Sequence, residues 1–100
     1  MDPPVGFIDP FMPEFLVERI MPGVEELDIE DLMETSKMGM AVIREQFPDI
    51  QWLQSYATKD VLYCLYRAPS EIMIREYARG STLPVHRILE VRATITPDML

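Results

Sequence analysis

Two short apolar runs in the middle of the chain constrain the fold more than any other feature. They are residues 51–58 (QWLQSYAT) and residues 61–68 (VLYCLYRA), and only Lys59-Asp60 separates them. Short runs rich in Trp, Tyr, Val and Leu predict two β-strands, and a two-residue connection predicts a β-hairpin. Lys-Asp is not a favoured pair for such a turn, so the turn type stays open.

The register of this hairpin decides which side chains share a face of the sheet. Placing Thr58 opposite Val61 pairs Tyr56 with Tyr63, Gln54 with Leu65, and Trp52 with Arg67. The other face then carries small, mostly apolar side chains, namely Leu53, Ser55, Ala57, Leu62, Cys64 and Tyr66. That small face is suited to packing against helices. The aromatic and polar face is where we look for function.

Four further elements are predicted around the hairpin. They are a strand over residues 14–20, a helix over residues 28–47, a second helix over residues 70–79 and a last strand over residues 86–96. Asp28 and Ser70 are the expected N-caps of the helices, and Pro48 ends the first one. Apolar residues recur at helical spacing within residues 28–47. In the first and last strands of the chain, successive side chains alternate between the two faces.

The resulting order, βαββαβ, predicts an α+β fold of the ferredoxin-like type. Right-handed crossovers place both helices on one face of a four-stranded antiparallel sheet and leave the opposite face bare. The covered face is expected to carry Phe15, Val17, Leu53, Leu62, Cys64, Val91 and Ala93. The bare face is expected to carry Leu16, Glu18, Trp52, Gln54, Tyr56, Tyr63, Leu65, Ile88, Glu90 and Arg92.

A bare face of this composition should not stay in water. Its apolar members, Leu16, Trp52, Leu65 and Ile88, predict that a second subunit packs sheet to sheet against it. The predicted assembly is therefore a homodimer of the dimeric α+β barrel type.

The chain of 100 residues is long enough for one domain. We assign residues 1–13 to a proline-rich N-terminal arm, residues 14–97 to a single ferredoxin-like domain and residues 98–100 to a C-terminal tail. The prolines of the arm disfavour helix. The arm is either a free tail or a segment that lies on its own domain or on a partner subunit.

Charge and cysteine content exclude several classes of partner. A formal net charge of −8 with no compensating basic patch argues against nucleic acid and against anionic membrane surfaces. No long apolar run predicts a membrane span, and no secretory signal is recognisable. The single cysteine, Cys64, allows no intrachain disulfide, so a cytoplasmic location is expected.

Four residues predicted on the bare face are the candidate ligand-binding site: Glu18, Tyr56, Tyr63 and Glu90. Two carboxylates in a partly apolar pocket can raise one another's pKa, which suits acid–base chemistry or a hard cation. The tyrosine hydroxyls can donate to a bound oxygen. Trp52 and Arg92 complete the candidate set. The alternative is a polar network within a dimer interface, in which Arg92 or Arg67 neutralises the acids.

The candidate metal ligands are Glu18, Glu90 and His86. His86 is the only histidine, and one imidazole does not make a metal site, so the carboxylates or a dimer mate would have to complete it. Cys64 is predicted to face the helices as a buried, inert thiol, because a nucleophilic cysteine needs a nearby base.

The chain resembles a bacterial family of domains of unknown function that includes a small nickel-binding protein. The resemblance lies on the segments PEFLVERIMPG, PDIQWLQSYATKDVLYCLYRAPSE and REYARGSTLPVHRILEVR, and it runs ungapped from about residue 12 to about residue 97. The resemblance implies the ferredoxin-like fold, a dimer, and a divalent metal such as nickel as the possible cofactor.

Two segments depart from the pattern of that family. Where the family usually has R-x-H-A, this chain has Arg75-Glu76-Tyr77-Ala78, and where it usually has Gly-Phe-Pro-Ala-Asp, this chain has Thr-Leu-Pro-Val-His at residues 82–86. Imidazole suits nickel, whereas a neutral phenol is a poor ligand. We therefore predict weak or absent nickel affinity.

The sequence leaves three functions open. The first is a protein that binds a small ligand or a divalent metal of the nickel type between the sheet and its partner. The second is a cofactor-free enzyme of the dimeric α+β barrel type, an isomerase or a monooxygenase, which rests on fold analogy. The third is a purely structural or interaction domain.

Overall fold

A computed structural model describes residues 11–81 and 83–100. Its elements, in chain order, are β1 (Glu14–Ile20), α1 (Ile29–Gln46), β2 (Gln51–Ala57), β3 (Val61–Arg67), α2 (Glu71–Arg79) and β4 (Arg87–Val91). Single 3₁₀ turns occupy Val24–Glu26 and Pro97–Met99. Most of the predicted N-terminal arm falls on residues 1–10, which lie outside the described residues.

The four strands form one antiparallel sheet in the order β2-β3-β1-β4. Side chains of both helices, including Ile43 of α1 and Ile74 of α2, join the same buried cluster as Phe15, Val17 and Tyr66 of the sheet. This arrangement confirms the predicted ferredoxin-like α+β fold. Within the described residues, neither helix combines the length and the hydropathy that a membrane span requires.

Both helices begin where their capping residues predict. The Asp28 side chain accepts a hydrogen bond from the Asp31 amide at 2.9 Å, and the Ser70 hydroxyl accepts one from the Met73 amide at 3.2 Å. Inside α1, Gly39 allows a close approach to α2, because a Cβ at this position would lie 3.1 Å from the Tyr77 hydroxyl.

The β2–β3 hairpin has the predicted register over most of its length and loses it at one residue. Thr58 faces Val61, with its amide donating to the Val61 carbonyl at 2.9 Å. Tyr56 pairs with Tyr63, as predicted, but an irregularity between Trp52 and Gln54 shifts the ladder. Trp52 therefore pairs with Tyr66 instead of Arg67. The prediction that Trp52 lies on the bare face is wrong, because a bulge inverts the facing of every residue beyond it.

The last strand, β4, also differs from its prediction in facing. Ile88 pairs with Val17 and Glu90 pairs with Phe15, so both lie on the face that the helices cover. Their alternation with Arg87, Leu89 and Val91 was predicted correctly, but its phase is the opposite one. A strand offset by one residue exchanges its two faces, and the sequence pattern of β4 is compatible with either phase.

β4 ends at Val91, five residues earlier than the predicted end. Val91 pairs with Glu14, the first residue of β1. The residue that precedes Glu14 is Pro13, and it would pair with the residue after Val91. Proline has no amide hydrogen with which to extend the ladder. The Pro13 carbonyl accepts a hydrogen bond from the Ala68 amide at 3.1 Å instead. Arg92 therefore follows the strand and is exposed.

The register defines two faces that are used below. The covered face carries Phe15, Val17, Arg19, Trp52, Ser55, Ala57, Leu62, Cys64, Tyr66, Ile88 and Glu90. The open face carries Glu14, Leu16, Glu18, Ile20, Gln54, Tyr56, Val61, Tyr63, Leu65, Arg67, Arg87, Leu89 and Val91.

Candidate functional site

Three of the predicted site residues form a single row across the open face. Tyr56 pairs with Tyr63, Tyr63 with Glu18, and Glu18 with Arg87. The Arg87 guanidinium donates to the Glu18 carboxylate at 2.7 Å, and this pair raises the pKa of Arg87 above its ordinary value. The carboxylate of Glu18 is thus engaged by a cation of its own chain.

Glu90 does not join this row. It pairs with Phe15 on the covered face, where its side chain is exposed at the edge of the sheet, while Glu18 lies on the open face. Arg92 lies beyond the end of β4, and Trp52 lies on the covered face. The sequence prediction that Glu18 and Glu90 converge is therefore wrong, and its cause is the inverted phase of β4.

The residues present do not fit a metal ion. His86 is exposed, and the contact that joins it to Glu18 runs from its backbone amide to the Glu18 carbonyl at 2.7 Å. The Glu18 carboxylate is paired with Arg87, and Glu90 lies on the other face. Within residues 11–81 and 83–100, no group of three or more His, Cys, Asp or Glu side chains is placed to hold a metal.

A cavity of about 270 Å³ lies between α1 and the covered face; we call it the α1 cavity. Its walls are mostly apolar and come from α1, from the segment before it and from the strands β1, β2 and β3. Leu32, Met40 and Ile43 line it from the helix side, and Trp52 and Leu62 line it from the sheet side. Pockets that hold small organic molecules are typically concave and apolar in this way.

The lining of the α1 cavity is partly exposed and partly buried. Leu27, Ile29 and Met33, at the start of α1, line it and are exposed, so the cavity reaches the surface there, at what we call its mouth. Arg19 and Tyr66 line it and are buried. The buried lining, which we call the inner end, therefore contains polar groups.

Arg19 is the unusual member of the inner end. It is 1% exposed, although it carries a full positive charge at any physiological pH. Its Nη1 donates to the carbonyls of Leu83 and Pro84, and its Nη2 donates to the Tyr66 hydroxyl, each at 3.4 Å. All three contacts are longer than the usual range for N–H donors, so they compensate the charge weakly.

No negative charge of the described residues offsets Arg19. None of the ion pairs in that part of the chain involves it, and its Nε has no hydrogen-bond partner there. Tyr66 does not neutralise it either. Burial, with smaller contributions from Cys64 and Tyr77, raises the pKa of the Tyr66 hydroxyl far above its ordinary value. Tyr66 therefore stays neutral beside a buried cation.

Cys64 and Tyr77 also line the inner end. Cys64 is buried as predicted. Tyr77, where the resemblance implied a histidine, is buried and packs edge to face against Phe47 and Tyr66, with ring centroids 5.9 and 5.6 Å apart. At this position the phenol belongs to the packing between the helices and the sheet.

Sequence reasoning missed Arg19, although the signal for it was present. The alternation in β1 that places Phe15 and Val17 on the covered face places Arg19 there too. A charged residue in the buried phase of a strand is rarely accommodated without a partner, so it marks a site. The cavity itself has no sequence signal.

Two comparisons with known proteins find similar molecules. A family model described as "Nickel responsive protein SCO4226-like" matches residues 15–91. The crystal structure of SCO4226 from Streptomyces coelicolor A3(2) has a TM-score of 0.68 and 19% sequence identity to this chain. That similarity covers 82% of this chain and 99% of the other. A comparison with curated proteins finds no significant match.

Proposed function

This chain belongs to the SCO4226-like family of nickel responsive proteins, and from that premise we propose that it is a small-ligand-binding protein whose ligand occupies the α1 cavity. The observation that carries this proposal is a cavity of about 270 Å³ with an apolar wall and buried polar groups at its inner end. Engineered apolar cavities of about 150 Å³ bind benzene, so this volume suffices for a larger molecule.

The only tryptophan of the chain, Trp52, lines the cavity and supplies the measurement. We titrate the protein with three C8 compounds, octanoate, octan-1-ol and octylamine, and expect its fluorescence to change in a saturable way with at least one of them. The titration stays below the concentrations at which these compounds form micelles. If none of the three binds by fluorescence or by calorimetry, the proposal is wrong.

A pair of variants on α1 tests whether the ligand lies inside the cavity. Ser36 lines it, so the added ring in Ser36→Phe should fill part of the volume and weaken binding by about tenfold or more. Glu45 is exposed on the same helix and does not line the cavity. Glu45→Phe is the matched control, and it should leave binding unchanged.

Metal binding is the second candidate, and membership of a nickel responsive family is the observation that favours it. The described residues do not fit a preformed metal site in one subunit, and Tyr77 is a buried phenol where the resemblance implied an imidazole. We therefore expect weak or absent nickel affinity by calorimetry. Tight nickel binding that persists in His86→Ala would contradict this reasoning.

We also propose that the protein is a homodimer that packs through the open face. A row of leucines, Leu65, Leu16 and Leu89, crosses three strands of this face, and Tyr63 lies beside it. Apolar side chains in this number on an otherwise uncovered sheet favour a partner surface. Trp52 and Ile88, which the sequence analysis assigned to this dimer surface, do not belong to it, because both lie on the covered face.

Light scattering tests the dimer. The wild-type protein should have a dimer mass at micromolar concentration, and Leu65→Glu should have a monomer mass. Ile72 is an exposed apolar residue of α2, which lies against the other face of the sheet, so Ile72→Glu is the matched control and should leave the mass unchanged. A wild-type monomer would refute the proposal.

The remaining parts of the proposal concern location and partners. The single cysteine is a buried free thiol, and the net charge is −8. Both support a cytoplasmic protein that binds neither nucleic acid nor membrane surfaces, which cell fractionation and gel-shift assays test. Enzymatic turnover of lactones or quinols would favour the isomerase or monooxygenase hypothesis. An absence of both turnover and ligand binding would favour an interaction domain.

A further inference from the structure

We propose, on the basis of the proposed function, that the ligand is a monocarboxylate with an apolar body of about eight carbon atoms, and that Arg19 binds its carboxylate.

Arg19 differs from the six other arginines, of which Arg44, Arg79 and Arg92 are exposed to solvent. Arg67, Arg75 and Arg87 each pair with a glutamate of their own chain, at 3.2, 3.1 and 2.7 Å. All three are more exposed than Arg19, so they need such a partner less. An isolated cation inside a protein is unfavourable, and a bound anion would relieve that cost. A bound anion would therefore stabilise the charge of Arg19 more than that of any other arginine in the chain.

Two of the N–H donors of Arg19 are not used by the described contacts. A guanidinium has five N–H groups. The described contacts use the two of Nη1, on Leu83 and Pro84, and one of Nη2, on Tyr66. The Nε–H, which has no partner among the described residues, and one Nη2–H are left. Two neighbouring N–H groups of a guanidinium match the two oxygens of a carboxylate.

The charge of Arg19 and the oxygen atoms around it favour an anion with a single negative charge. One guanidinium in an apolar surrounding balances one negative charge, whereas a phosphate dianion would leave a net negative charge buried. The carbonyl oxygens of Leu83 and Pro84 lie against the same guanidinium and would repel further anionic oxygens. The Tyr66 hydroxyl accepts from Arg19 and, being neutral, still has its own hydrogen to donate to a carboxylate. A metal cation would be repelled by Arg19.

The volume and the apolar lining of the α1 cavity limit the size and chemistry of the rest of the ligand. The volume of about 270 Å³ is somewhat less than twice that of an engineered cavity that holds benzene, which corresponds to about ten non-hydrogen atoms. Met33 and Met40 line the cavity, and methionine adapts to ligands of different shape. The buried part of the lining includes Arg19, and the exposed part includes apolar residues such as Ile29. An acid with a straight alkyl chain or a single aromatic ring suits a lining of this composition.

The experiment varies only the head group of the ligand. Octanoate, octan-1-ol and octylamine are titrated against wild-type protein at pH 7, with Trp52 fluorescence and calorimetry as readouts, and inorganic phosphate serves as an anion without an apolar body. We expect octanoate to bind at least about tenfold more tightly than octan-1-ol, because a hydrogen bond to a charged group is stronger than a neutral one. Octylamine and phosphate should not bind.

Variants then assign the preference to Arg19. Arg19→Met should abolish the preference for octanoate over octan-1-ol while octan-1-ol still binds, and Arg19→Lys should restore part of it. Arg67→Met, which removes an arginine from the open face, is the matched control and should keep the preference.

The outcomes separate the two proposals. Binding of octan-1-ol as tight as that of octanoate in the wild-type protein would overturn the carboxylate assignment and leave the small-ligand proposal standing. A preference that persists in Arg19→Met would overturn the role of Arg19. If no C8 compound binds, both proposals are wrong.

Discussion

Glu18 and Arg19 are neighbours in β1, and their charges are compensated in opposite ways because they project from opposite faces of the sheet. On the open face, Glu18 meets Arg87 at 2.7 Å within the same chain. On the covered face, the guanidinium of Arg19 is 1% exposed and meets two carbonyls and a neutral hydroxyl at 3.4 Å. The open face thus pairs the charges of Glu14 and Glu18 with arginines of the same chain, although the Nε of Arg67 is buried without a partner among the described residues. The covered face leaves a whole cation beside a cavity.

The difference teaches where to look for a ligand in such a fold. Glu18 is also buried, at 8% exposed, but its charge is paired with that of the largely exposed Arg87, so it leaves no charge for a ligand to compensate. An unpaired charge beside an apolar cavity lowers the stability of the ligand-free protein, and it is retained only if something else depends on it. Four experiments test this contrast between the two faces.

The largest effect is expected from truncating the core. Phe15 is 2% exposed on the covered face, so Phe15→Ala should lower the free energy of unfolding by about 3–5 kcal/mol in urea denaturation. Leu16, the next residue, is half-buried on the open face. In the monomeric Leu65→Glu background, in which the proposed dimer contact is absent, Leu16→Ala should cost only about 1 kcal/mol. Equal costs would mean that both faces are equally well packed in solution.

The next effect has the opposite sign. Arg19→Met should raise the free energy of unfolding of the ligand-free protein by about 1–3 kcal/mol, because an uncompensated buried charge is replaced by an apolar side chain of similar length. Arg67→Met, which leaves Glu14 without its partner at 3.2 Å, should not stabilise the protein. If Arg19→Met destabilises the protein instead, then the contacts of Arg19 with Leu83 and Pro84 are structural, and the contrast between the faces fails.

Alkaline pH gives the third effect. Burial raises the folded-state pKa of Tyr66, while the unfolded chain has the ordinary value of 10.0. The stability that comes from the protonated phenol is therefore complete below pH 10 and is lost as the pH rises above it, by up to about 1.4 kcal/mol per pH unit.

A comparison of two variants isolates this contribution. The decline in urea midpoint between pH 10 and 11 should be smaller in Tyr66→Phe than in the wild-type protein. Tyr56 is half-exposed at the end of the open-face row. The urea midpoint of Tyr56→Phe should therefore fall between pH 10 and 11 by as much as that of the wild-type protein. Identical curves for all three proteins would show that Tyr66 ionises as readily in the folded state as in the unfolded chain.

The smallest effect is expected from the ion pair on the open face. Glu18→Gln removes the charge that faces Arg87, whose side chain is largely exposed. In the monomeric Leu65→Glu background, where the open face meets solvent, we expect a small loss of stability that shrinks in high salt. In the dimer the same pair is covered, so the loss should be larger and less sensitive to salt. Equal, salt-sensitive losses in the two backgrounds would contradict the dimer proposal.

The local elements were predictable because their signals are local. Asp28 and Ser70 cap their helices, Thr58 faces Val61 in the hairpin, and the strand order follows from the βαββαβ sequence and right-handed crossovers. Each of these depends on a few consecutive residues or on a general rule of chain topology. The resemblance to the family pointed to the same fold.

The candidate site was predicted only in part. Glu18, Tyr56 and Tyr63 do share a row on the open face, because the hairpin register and the strand order were both predicted correctly. Glu90 and Trp52 were assigned to that face and lie on the other one. Arg19, the residue on which the proposed recognition rests, was not selected.

By itself, the sequence determined the elements, their order and the alternation within each strand, because side chains on consecutive strand residues must point to opposite faces. Only the tertiary structure decided the phase of that alternation in β4, the bulge between Trp52 and Gln54, and the cavity beneath α1. The reason is that a one-residue offset changes no local signal, yet it exchanges the two faces of a strand. Which phase is stable depends on how Val17, Ile88 and the helices fill space together, and that is a property of the packed chain.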